Sequence, residues 1–247
     1  MQTLDFNLQG IAIEGTIIDV ETVSLSPKPN GMFTFGTLSG NAIRILQAEN
    51  EADCEALAAK VKRLWNTLPR PFYAYNREFV GGWIADAIGG EAHIEHDTMD
   101  AWRSVADQQS LKWPRLRELI RPPVFYYRWG IADYDRERDF GTMRRTMRSA
   151  KSVNEVISRE ALGGAPHVWW RQHLAMLQDP EIRRQLEGPP TDPANTNADD
   201  RTSRIYRLPN GAWTTNRLAA IICHNMLDLQ SQASLLLWQW DITSVWL

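Results

Sequence analysis

The sequence predicts an α/β protein built on a mixed five-stranded sheet with helices on both faces. Apolar patterning over the first hundred residues runs strand, strand, strand, helix, strand, helix, strand. A hairpin signal between the second and third strands makes two antiparallel strands follow the first as a meander, whereas strands separated by helices join as crossover units with parallel pairing. A composition of 43% apolar and 23% charged residues over 247 residues is that of a soluble chain able to bury a substantial core. The whole chain, 1–247, is read as a single domain. It carries a Trp- and Arg-rich, mainly helical insertion over about 101–187 and a flexible loop at 188–203.

Residues 10–20, GIAIEGTIIDV, are apolar and β-branched and read as a central strand ending in acidic residues. Residues 32–38 and 42–47 flank Ser39-Gly40-Asn41, a hairpin signal. From 51 to 65 the apolar positions Cys54, Leu57, Ala58, Val61 and Leu64 recur at helical spacing, and Pro69 and Pro71 end that helix. Phe72-Tyr73-Ala74-Tyr75 reads as a short buried strand. A helix follows from near Asn76 to Gly89-Gly90, and 93–98 is the fifth strand. Residues 152–162 and 168–177 are candidate helices of the insertion. Residues 188–203, GPPTDPANTNADDRTS, contain no large hydrophobe and read as a mobile loop. A long closing helix is expected over 214–240, carrying Leu218, Ile221, Ile222, Leu229, Leu235 and Leu236.

Composition narrows the function classes. The longest apolar runs, 219–223 and 235–238, are far too short to cross a bilayer, so no membrane partner is expected. The opening MQTLDFNLQG lacks a basic segment followed by an apolar stretch, and a cytoplasmic location is expected. Cys54 and Cys223 read as reduced core thiols, with a bridge between them as the alternative. A net charge of −3 gives no global pull toward nucleic acid. The distribution is less neutral: 22 of the 27 basic residues are Arg, and 115–151 holds ten basic against five acidic side chains. That window reads either as a phosphate-contacting face or as a solvated face paired with Asp133, Asp135, Glu137 and Asp139. Tyr126-Tyr127-Arg128-Trp129 within it could stack unpaired bases, or pack in a core. The terminal stretch with Trp238, Trp240 and Trp246 is too apolar for a free tail, and packs on its own sheet or meets a protein partner.

Asp19 and Glu21, at the end of the first strand, are the sharpest chemical signal. Alternate residues of a strand share a face, so the two carboxylates project together. Their mutual repulsion is relieved by a cation, and hard divalent ions such as Mg²⁺ and Mn²⁺ favour oxygen ligands. His224 and Asp228 stand at i and i+4 on an apolar helix, on one helical face. An imidazole beside a metal-bound carboxylate can deprotonate an attacking water. An aspartate in the middle of an apolar helix needs a partner if buried. His93, His96 and Asp97 form a weaker metal pattern, because on a strand the two imidazoles face opposite sides.

Together IIDVET after a first strand, two antiparallel strands, AYNREF, and HNMLD on a final helix resemble the DEDD superfamily of RNase-H-like 3′–5′ exonucleases. The likeness covers roughly 10–100 and 150–240 and includes the SVNE segment at 152–155. The resemblance implies an RNase-H-like sheet and two-metal phosphodiester hydrolysis of DNA or RNA, with a single-stranded end as the favoured substrate and Mg²⁺ or Mn²⁺ as cofactor. It assigns Asp19, Glu21 and Asp228 as metal ligands and His224 as the group that positions or deprotonates the water. Asn76, Phe79 and Thr22 become substrate contacts. One position departs from the pattern: Val80 stands where the second motif has an acidic residue. Glu78, Asp86, Asp97 and Asp100 are the candidate replacements, and restoring an acid as Val80→Asp is the corresponding rescue. Without a replacement, the chain becomes a catalytically degenerate module that binds nucleic acid or a protein partner.

Overall fold

The computed structural model describes residues 1–7, 12–100, 166–179, 181, 205–207 and 213–215. Between 217 and 236 it describes 217, 218, 221, 222, 224–226, 228–230, 232, 233 and 236. The expectations for 115–151, 152–162, 188–203, Cys223 and the terminal tryptophans lie outside these residues. The described chain is mixed α/β. Its elements are β1 (Gln2–Asn7), β2 (Ile13–Thr22), β3 (Met32–Gly40), β4 (Ala42–Gln47), α1 (Glu51–Trp65), β5 (Phe72–Ala74), α2 (Arg77–Ile88), β6 (His96–Asp97), α3 (Pro166–Gln178), β7 (Ile205–Arg207) and β8 (Trp213–Thr215). The described residues from 217 to 236 are helical.

The main sheet has six strands, in the order β1-β4-β3-β2-β5-β6, rather than the five expected. The additional strand, β1, pairs antiparallel with β4 from Gln2↔Gln47 to Asn7↔Ala42. Polar and apolar residues alternate from Thr3 to Asn7, and Leu4 is buried, but five positions are a short signal that becomes a strand through its long-range pairing with β4. β2, β3 and β4 form the antiparallel meander, and β5 and β6 run parallel to β2. The sixth strand reduces to His96–Asp97, shorter than the 93–98 expected. A second correction falls at the start of the closing helix. Thr214 and Thr215 belong to β8, paired with Tyr206 and Ile205. Two adjacent β-branched residues with a pairing partner favour extended backbone over a first helical turn.

Local chemistry sets the helix ends. The Asn50 side chain accepts the Asp53 amide at the start of α1, Glu51 and Asp53 occupy its first turn, and Lys62 and Arg63 its last. Asn76 caps α2 and Gly89 closes it in the left-handed region at φ 68°. The apolar stripe of α1 (Cys54, Leu57, Val61, Trp65) is buried, and Trp65 packs on Phe72 with ring centroids 4.5 Å apart. Phe72 is level with Thr16 in the parallel pair, so α1 covers the face of β2 that carries Thr16, Ile18 and Val20. The opposite face carries Asp19 and Glu21.

Cys54 is a free, buried thiol, pushed up to about 11 by burial first and then by the nearby Asp53 and Glu51 carboxylates. Alkylation of Cys54 by iodoacetamide at pH 8 is therefore expected to be slower in the folded protein than in urea by on the order of a hundredfold. Peptide mapping that separates Cys54 from Cys223 checks this.

Candidate metal centre

The parallel register Ile18↔Ala74 and Ala74↔Asp97 brings the carboxyl ends of β2, β5 and β6 to one edge of the sheet. Clefts in α/β sheets form at such edges. Asp19, Glu21 and Thr22 end β2 there, and Asn76 begins α2 two residues beyond β5.

The helical residues of 217–236 cross the sheet directly over Asp19, and Gly36 explains how they come so close. Gly36 is paired with Asp19 on β3. A Cβ on it would lie 1.9 Å from Asn225 Oδ1 and 2.9 Å from Leu229 Cδ1. Only a glycine leaves the helix room to descend onto the strand. The approach lets Asn225 donate Nδ2–H to Asp19 Oδ2 at 2.7 Å, across 206 residues of sequence. Gly36→Ala is expected to break this contact and destabilise the protein by about 1–3 kcal/mol, the usual cost of overpacking. Urea denaturation of the variant beside the wild type measures it.

On the residue before Asn225, His224 Nε2 stands 4.0 Å from Glu21 Oε1 and 3.5 Å from Asp228 Oδ2. One ligand atom from each of Glu21, His224 and Asp228 lies within 4.8 Å of the others, the one such group among the described residues. Glu21 is 9% exposed, and its Oε1 is buried with no hydrogen-bond partner. The flank is aromatic: Trp169 of α3 meets the His224 ring edge-on, with centroids 5.9 Å apart, and Trp170 stacks on Phe33 at 4.8 Å. Arg217 Nε donates to Gln172 Oε1 at 3.2 Å, tying the closing helical stretch to α3.

Burial and neighbouring negative charge disfavour the ionised forms of Asp19 and Glu21. Burial, then the Asp228 charge, holds Asp19 well above the usual carboxylate range, although the Val20 amide and Asn225 pull the other way. Burial, then Asp19 and Asp228, raises Glu21 likewise. Among the described residues no Lys or Arg bears on either group. Acid side chains with an orphaned buried oxygen and an imidazole make a donor set that fits a divalent ion.

The other predicted contacts serve the chain itself. Thr22 donates Oγ1–H to the Ser24 carbonyl at 2.9 Å. Asn76 is exposed, holds φ 62°, and its side chain accepts the Phe79 amide at 3.4 Å. Phe79 is half-buried, edge-on to Trp83. None of the proposed replacement acids joins the cluster. Glu78, Asp86 and Asp100 are exposed. Asp97 is buried and accepts the amides of Asn76, Arg77 and Met99, locking the turn into α2. Val80 is 1% exposed among core residues, so Val80→Asp buries a carboxyl and is expected to destabilise the fold instead of acting as a simple rescue. His93 and His96 are exposed, and His96 stacks on Tyr73 at 5.0 Å, outside any metal group.

Motif and periodicity assign no role to Asn225 or Gly36, yet both carry a signal. An amide on the face that also holds Ile221, Ile222 and Leu229 must find a partner inside the core, and a glycine in the middle of MFTFGTLSG marks close backbone approach. Comparison with known protein families, with curated proteins and with solved structures finds no match for this chain. Among the described residues no helix is long and apolar enough to cross a membrane.

Proposed function

We propose that the chain is a metal-dependent nuclease hydrolysing phosphodiester bonds of DNA or RNA, with an RNase-H-like sheet and the DEDD-type site that its sequence resembles. The observation that carries this reading is the meeting of Glu21, His224 and Asp228 within 4.8 Å, beside Asp19, from opposite ends of the chain. An antiparallel meander followed by two crossover strands, with the acids at the carboxyl edge of the central strand, supports the fold assignment.

Glu21 and Asp228 would hold the ion, and Asp19 would add its charge from the adjacent strand position. A bound divalent ion would neutralise the acids, polarise a phosphoryl oxygen and lower the pKa of a water. Asn225 fixes the Asp19 carboxyl in place so that its charge is preorganised. Trp169 holds the plane of the His224 ring, and the half-exposed side of His224 and Asp228 leaves the cluster open to solvent. A proton released from water at this edge has His224 and the carboxylates as acceptors.

One observation favours the second reading, a degenerate module that binds nucleic acid or a protein without cleaving it. The acid of the second motif is Val80, buried in the core, and none of the four candidate replacements reaches the cluster. Degradation assays on end-labelled single-stranded DNA and RNA with Mn²⁺ or Mg²⁺ separate the two. Cleavage that EDTA and Asp19→Asn both abolish supports the nuclease. Retained binding without cleavage in any divalent ion supports the module.

A further inference from the structure

We infer that His224 is itself an ion ligand, through Nε2, in a single mixed nitrogen–oxygen site with Glu21 and Asp228, and that this site selects a first-row transition ion over Mg²⁺. The inference rests on the metal-centre reading above and replaces one part of it: with Nε2 on the ion, His224 no longer accepts the water's proton through that nitrogen, whereas the resemblance makes it a water-positioning group and the ligands oxygen alone.

Geometry comes first. At 3.5 Å from Asp228 and 4.0 Å from Glu21, Nε2 is beyond ordinary N–H···O reach, which ends near 3.2 Å. Two donors each about 2.1 Å from one ion at a tetrahedral angle stand about 3.4 Å apart. The spacing is thus too wide for direct hydrogen bonds and suited to donors sharing an ion. The second observation is the orphaned Glu21 Oε1, buried and facing the imidazole with no donor. A buried acceptor without a partner is costly, and an ion in the space between these atoms would satisfy it. The imidazole is held in position by its surroundings. Trp169 packs edge-on against the ring, and the helix that carries it is pinned on the sheet at Gly36.

Donor chemistry then sets the preference. Mg²⁺ takes oxygen ligands and binds imidazole poorly, whereas Mn²⁺, Fe²⁺ and Zn²⁺ accept it readily. Among the described residues no third carboxylate joins Glu21 and Asp228 in the group, and its three ligand atoms fit one ion.

The test uses the full chain stripped with EDTA. Mn²⁺ is titrated calorimetrically, with Mg²⁺ as the competing probe, and pulsed EPR is recorded on the Mn²⁺-loaded wild type. The expected results are a directly coordinated nitrogen in the spectrum and Mn²⁺ bound at least about tenfold more tightly than Mg²⁺. That preference is expected to shrink in His224→Gln and binding to vanish in Glu21→Gln. The spectrum needs no variant, so a misfolded substitution cannot decide the outcome. Mn²⁺ binding that depends on Glu21 and Asp228 but shows no nitrogen coupling overturns the inference and leaves the metal centre standing. No binding of either ion by the wild type overturns both.

Discussion

Asp19→Asn is expected to lower metal-dependent hydrolysis by on the order of a thousandfold or more while leaving the fold and nucleic-acid binding in place. The substitution is nearly isosteric. The new amide oxygen can still accept Asn225 Nδ2–H, so the 2.7 Å tie between the closing helix and β2 is kept. What disappears is one negative charge from the strand position next to Glu21. Because Asp19 is held mostly by burial and repelled by Asp228, removing its charge costs the folded protein little without metal. The readout is kcat on a labelled oligonucleotide with saturating Mn²⁺, beside a binding isotherm for the same oligonucleotide in EDTA. Wild-type turnover in the variant, with contaminating nuclease excluded, would place the chemistry at another site. A parallel loss of binding would mean that Asp19 shapes the groove and not only its charge.

The frame is legible in sequence where local signals agree. α1 falls on 51–65 as expected, because an N-cap, a charge gradient and a 3.6-residue apolar period coincide there. α2 is equally legible from Asn76 and Gly89. β1 is not, because its alternation spans only Thr3 to Asn7, four of its six residues are polar, and its pairing partner β4 lies about forty residues away. β8 is lost for a similar reason: Thr214 and Thr215 are neutral in local pattern and become a strand through Ile205 and Tyr206. In the site, period two gives Asp19 with Glu21, and period 3.6 gives His224 with Asp228. Which pair meets which is a tertiary fact that neither period contains. It depends on Gly36, whose missing side chain sets the depth of the helix. The second-motif acid shows the limit from the other side. Asp97 looks available as a substitute because it ends the strand beside β5, but three backbone amides occupy its carboxyl.

The same unrelieved charge makes stability depend on pH and on metal together. Asp19 and Glu21 both have folded-state pKa values raised above their unfolded ones, burial being the larger cause for each. Below the unfolded carboxylate pKa, near 4, both groups are protonated in both states and the folded state loses nothing. As pH rises toward the raised folded values, the unfolded chain releases protons that the native chain keeps, and stability falls. Without metal, this pair is therefore expected to weaken the protein at pH 8 relative to pH 5. His173 acts with the opposite sign. Burial lowers its pKa, with its Nε2 facing the Glu49 carbonyl at 2.8 Å, so its contribution is lost in mild acid. The two are separated by a difference measurement on Glu21→Gln. In EDTA the variant is expected to melt a few degrees above the wild type at pH 8, the scale on which about 1 kcal/mol registers in a chain of this length. At pH 4.5 the gap should close. Saturating Mn²⁺ should reverse the order at pH 8, because an ion that binds only the native wild type stabilises it by mass action. A Glu21→Gln variant less stable than the wild type at pH 8 in EDTA would show that the carboxylate is already compensated by the protein, and that the cluster has no need of a cation.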